Sequence, residues 1–108
     1  MTDLKELRLA TFEPHVGEEF MIQLVDENQS LIDFSLKLAA AQALGIKERD
    51  EAAHGRESFS LIFEHERKDV YLNQGVYAVQ NKVLGVFDLF LVPMGPVETG
   101  MQYEVIFT

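Results

Sequence analysis

Gly75-Val76-Tyr77-Ala78-Val79 and Val86-Phe87-Asp88-Leu89-Phe90-Leu91-Val92 stand on either side of Gln80-Asn81-Lys82-Val83-Leu84-Gly85. Both runs are rich in β-branched and aromatic residues, and the stretch between them supplies an asparagine and a glycine, which accept the backbone angles of a tight reversal. The arrangement predicts a β-hairpin. Its second run is apolar on both faces: Phe87, Leu89 and Leu91 make one, and Val86, Phe90 and Val92 make the other, broken only by Asp88. An antiparallel sheet in a small domain usually wets one face, so such a strand is either enclosed in a sandwich or covered by another chain. Val86, Asp88, Phe90 and Val92 are therefore the candidate interface, with self-association or docking on a larger protein favoured over internal burial.

The same period of two extends outward from this hairpin. Upstream, Phe59, Leu61 and Phe63 alternate with Ser58, Ser60 and Glu64, and earlier still Ile32, Phe34, Leu36 and Leu38 alternate with Asp33, Ser35 and Lys37. Phe20, Ile22 and Leu24 form another such run, separated from the last by the turn residues Asp26-Glu27-Asn28-Gln29. Ala39-Ala40-Ala41-Gln42-Ala43-Leu44 has high helix propensity, so a helix reaching Ala53 competes there with a strand continuing to about Ala43; the strand is preferred. Residues 46–57 are charged, hold almost no apolar anchor and are expected to form a mobile loop. Downstream, Pro93 lacks an N–H for a central ladder and is expected to end the strand, leaving residues 93–100 as a loop. Met101, Tyr103, Val105 and Phe107 then alternate with Gln102 and Glu104 as a sixth strand. Near the start, Thr11-Phe12-Glu13-Pro14-His15-Val16-Gly17 has the N-cap, proline and terminal glycine of one short helical turn. Six strands without interleaved helices define an all-β class: an antiparallel six-stranded roll or small barrel with a short N-terminal helical turn.

The chain has 108 residues, the size of one domain, read here as a single β-rich unit over residues 1–108. Eighteen acidic residues against nine basic ones give a net charge of -9, which repels nucleic acid and anionic lipid and argues against both as partners. No apolar run approaches the roughly 18 to 20 residues of a membrane span, and Met1-Thr2-Asp3-Leu4-Lys5-Glu6 has no basic segment leading into an apolar one. A cytoplasmic location is the expectation. The absence of cysteine excludes disulfides, thiolate metal sites and thiol nucleophiles.

The pattern nominates no catalytic, cofactor-binding or metal residue. His15, His54 and His65 lack metal-ligand spacing, and the set of His65 with Glu64, Glu66 and Asp69 reads more simply as a solvated turn after a strand. Ser58 and Ser60 sit in a strand rather than in a strained nucleophile elbow, and Gly95-Pro96-Val97-Glu98-Thr99-Gly100 lacks the Lys-Ser/Thr pair of a phosphate loop. Asn28-Gln29-Ser30 matches a glycosylation acceptor but reads better as a turn. Phe12, Phe20, Phe34, Phe59, Phe63, Phe87 and Phe107 are assigned to the core, and Tyr77 and Tyr103 are expected to carry their hydroxyls to backbone partners at the rim.

Several segments together carry a resemblance: Thr11-Phe12-Glu13-Pro14 to Gly17, Phe59-Ser60-Leu61-Ile62-Phe63, Gln74-Gly75-Val76-Tyr77, Leu84-Gly85, Leu89-Phe90-Leu91-Val92-Pro93-Met94-Gly95, and Met101-Gln102-Tyr103-Glu104-Val105-Ile106-Phe107. The chain resembles the small bacterial domains of unknown function that are often encoded beside phage tail-collar-like proteins. It departs from them at residues 46–56, longer and more charged than usual, and at Asn81-Lys82, where a His-Pro pair is more typical. The resemblance implies an all-β fold and carries no activity. Two functions stay open: a non-enzymatic interaction or accessory module, such as a structural partner in a phage-tail-like assembly, and a small-molecule-binding or enzymatic β-barrel whose site lies between the 93–100 loop and the histidine-bearing loops.

Overall fold

The structure, a computed structural model, describes residues 7–25, 27–43, 58–67 and 72–107. Six strands, β1 (Glu19–Val25), β2 (Leu31–Ala43), β3 (Phe59–His65), β4 (Gly75–Asn81), β5 (Gly85–Val97) and β6 (Gly100–Phe107), form a closed antiparallel barrel in the order β1-β2-β3-β6-β5-β4. Before them runs a short helix, α1 (Leu9–Phe12), continued by a 3₁₀ turn at Glu13–His15 with Pro14 in its first turn. The helical turn thus begins two residues earlier than Thr11, because the Thr11 hydroxyl accepts a hydrogen bond from the Arg8 N–H at 3.1 Å and closes the first turn from inside.

Alternation decides what fills the barrel. All seven phenylalanines assigned to the core are buried, as are Ile22, Leu36, Leu38, Leu61, Val79, Leu89, Leu91 and Val105. Phe12 leaves α1 to plug the interior, its ring 6.1 Å from Phe59, 5.8 Å from Phe87 and 5.8 Å from Phe107, while Phe59 and Phe107, partners across β3 and β6, stack at 4.5 Å. Aromatic pairs at such separations add to simple burial. Tyr103 and Tyr77 find backbone partners: the Tyr103 hydroxyl accepts from the Leu72 N–H at 2.9 Å, and the Tyr77 hydroxyl donates to the Asn73 carbonyl at 2.7 Å. Burial pushes the Tyr103 phenol above its ordinary value.

β2 runs to Ala43, as preferred over the helix, and a bulge between Leu38 and Ala40 reverses its alternation so that Ala41 packs on the core opposite Leu61. The loop expected at residues 46–57 lies outside the described residues.

Pro93 does not end β5. The strand continues through it to Val97, and residues 93–97 are ladder rather than loop, with Glu98 and Thr99 alone turning the chain into β6. The reason is a change of neighbour. β4 begins opposite Leu91, so from Val92 onward β5 pairs with β6 and its other edge carries no ladder, the situation in which a missing N–H costs nothing. A second bulge between Pro93 and Gly95 follows, with Gly95 at φ +120, and this left-handed backbone suits glycine. Gly100 answers a steric demand instead: a Cβ there would collide with the His65 carbonyl oxygen.

Candidate interaction surface

β5 divides as its sequence suggests over Gly85–Leu91. Phe87, Leu89 and Leu91 point into the barrel, and Val86, Asp88 and Phe90 are exposed on the outside. Val92 is half-buried and lies beyond the change of neighbour, where it pairs with Glu104 of β6. The structure therefore brings Val86, Asp88 and Phe90 together beside β4 and sets Val92 against a different strand.

The partner of Phe90 is Val76, and both face solvent, at 48% and 64% exposure. On the same face Ala78 stands opposite Asp88 and Gln80 opposite Val86. Val76 is the residue that reading β5 alone misses. A signal for it was present: once Asn81 and Gly85 are opposite across the turn, counting back places Val76 against Phe90.

A polar clasp holds this hairpin to β1. Asn81 is buried, and its side-chain carbonyl accepts the N–H groups of Val83 at 2.9 Å and Leu84 at 3.0 Å. Its amide donates to Glu18 Oε1 and to the Glu19 carbonyl, each at 3.3 Å. His15 Nδ1 approaches the same Glu18 oxygen at 2.8 Å and, since a carboxylate only accepts, carries the proton. The His15 hydrogen bond, followed by that of Asn81, holds the Glu18 carboxyl below its ordinary value. Asn81 thus tethers the turn between β4 and β5 to the chain entering β1.

The remaining histidine within the described residues, His65, stacks on Phe34 at 3.9 Å and donates Nδ1–H to the Ser35 carbonyl at 2.8 Å. Glu64 accepts from the Gln102 amide at 3.1 Å. His54 and Asp69 lie outside the described residues, and among those described no group of three or more His, Cys, Asp or Glu side chains could hold a metal. No helix among the described residues is long and apolar enough to cross a membrane.

A closed six-stranded antiparallel barrel with an aromatic interior and an apolar ridge on its outer wall is the class that fold and surface define. The chain belongs to the family described as Domain of unknown function (DUF6916), whose model matches residues 7–107. No curated protein and no solved structure matches it.

Proposed function

We propose that the chain is a non-enzymatic interaction module that uses the outer face of β5, with Val86, Asp88, Phe90 and Val92, to dock on a protein partner or on a second copy. The observation that carries this reading is the exposed pair Phe90 and Val76 on a barrel whose inward positions are taken by apolar side chains. A large aromatic beside a branched residue makes the anchor that protein contacts favour, and Asp88 supplies a polar group to fix register. The resemblance to domains encoded beside phage tail-collar-like proteins favours a structural, accessory place in an assembly of that kind. His15 and His65 each give Nδ1 to a protein acceptor, which supports a structural role for them rather than one in a site near residues 93–100.

The test combines light scattering over a range of concentrations with a photo-crosslinking residue at position 88 in the native host. A parent that self-associates, or that forms a discrete adduct, while a folded Phe90→Lys chain does neither, supports the reading. A monomeric parent without adduct defeats it, and a Phe90→Lys chain that unfolds returns Phe90 to the core.

A further inference from the structure

The barrel closes by a very short seam. β1 and β4 pair only at Met21 with Gln80 and at Ile22 with Val79, whereas β1 pairs with β2 along its whole length and β4 with β5 along its own. Beyond Ile22, residues Gln23 to Val25 have no register partner on the β4 side among the described residues, and Gly75 to Ala78 have none there on the β1 side. The Glu19 carbonyl receives Asn81 from the β4 side and Met21 pairs with Gln80, and in an antiparallel strand alternate residues turn both backbone groups the same way. Ala78 and Val76, two and four residues before Gln80, therefore present their N–H and C=O groups to the open seam, as do Gln23 and Val25 from the other side.

The side chains around this opening tell the same story. Leu31 pairs with Val25 and Val76 pairs with Phe90, and counting on from Ile22 opposite Val79 would set Val25 opposite Val76. Four apolar residues thus form one row on the outer wall, interrupted at the seam; Leu31 is 66% and Val25 57% exposed. Ile32 has the inward parity of Phe34 and Leu36 and is nevertheless 45% exposed, so the inner layer is open to solvent here as well. Backbone donors and acceptors without a ladder partner among the described residues, flanked by apolar residues on both faces, are what an added β-strand needs.

The charge around the seam selects the occupant. An open groove of about 790 Å³ crosses the outer wall where β1 and β4 meet, and among the described residues that line it the charged ones are Glu18, Glu19 and Asp33 against Lys82. A second copy of a chain of net charge -9 would bring further carboxylates to this groove. We infer that the open seam between β1 and β4 is an acceptor slot for one extended strand of a partner protein, with apolar residues at alternate positions and a lysine or arginine beside them for the acidic groove. This inference rests on the reading of the chain as an interaction module and gives that module its mode of recognition. Main-chain bonds to Val76 and Ala78 supply affinity, the apolar row selects alternating side chains, and the acidic groove sets polarity along the seam.

The probe is a synthetic peptide of alternating valine and threonine with a lysine at each end, added to the intact chain and followed by amide hydrogen exchange. Saturating peptide should slow exchange of the Val76 and Ala78 amides about tenfold or more, against little change in β3 and β6. Ala78→Pro removes an N–H that faces the seam, not β5, and should abolish that protection in a folded chain. Should this variant not fold, Val76→Lys places a like charge beside the cationic peptide and should weaken binding. Unchanged exchange of Val76 and Ala78 overturns the slot even if the Phe90 surface holds. Protection that rises with protein concentration without peptide overturns the assignment to a partner in favour of a second copy, and a scrambled neutral peptide that protects equally overturns the chemistry.

Discussion

Neighbouring residues in β3 meet opposite environments, and their substitution should separate in sign. Phe63 is fully buried with its ring 5.1 Å from Phe20, so Phe63→Ala removes a large apolar group and leaves a cavity, lowering stability by about 3 to 5 kcal/mol. Ser60 has the outward parity but is also fully buried, and its hydroxyl has no hydrogen-bond partner among the described residues. A buried hydroxyl without a partner costs free energy, so Ser60→Ala should raise stability by about 1 kcal/mol. Urea titration of both variants measures the two shifts. If both changes destabilise alike, Ser60 makes a bond that the burial of its hydroxyl conceals. Parity made Phe63 readable from its neighbours; nothing in the alternation of Ser58 and Ser60 with Phe59 announced that the polar face of this strand would be covered, because that depends on what packs over it and not on local period.

At the scale of elements, the turn between β4 and β5 is fastened to β1 through Asn81, Glu18 and His15, and the fastening titrates. The folded chain holds Glu18 below its ordinary value of 4.5, first through the His15 hydrogen bond and then through Asn81. A depressed carboxyl contributes stability that is complete above its unfolded value and is lost as pH falls through the folded one. Wild type should therefore exceed Glu18→Gln in stability by a constant margin from neutrality to about pH 5, and the margin should shrink below 4.5. Denaturant titrations at several pH values check this, and a margin independent of pH down to 3 would show that the clasp does not depend on ionised Glu18. The elements themselves were legible because each has a strict period and a turn between glycine, asparagine or aspartate. The end of β5 was not, since the rule against proline in a ladder presumes a strand flanked on both sides, and β5 loses β4 after Leu91. The bulge at Ala39 was hidden for a related reason: a run of alanines shows no alternation to reverse.

The whole barrel is a ring whose links are unequal. β3 and β6 pair continuously from Phe59 with Phe107 to His65 with Met101, and their inward side chains include Leu61, Phe63, Tyr103 and Val105 at the centre of the core. β1 and β4, by contrast, meet at two register positions beside the exposed Val25 and Val76. No local pattern records which strands close a ring, so the seam became visible only with the register, and the apolar row across it could not be assembled from β5 alone. The inequality has a dynamic consequence. Opening the seam breaks few backbone bonds and uncovers chiefly Ile22 and Val79, whereas parting β3 from β6 dismantles the aromatic interior, so the seam should open in a partial unfolding well below the global free energy. Native-state hydrogen exchange in increasing denaturant tests this directly. The amides that bind across Met21 and Gln80 should exchange through an opening that depends weakly on denaturant, while those between β3 and β6 should follow the steep dependence of complete unfolding, because that dependence scales with the surface exposed. If Met21 and Gln80 instead merge with Leu61 and Val105 on the steep isotherm from the outset, the ring opens only as a unit, and a strand could enter the seam only by completing an edge that is already free.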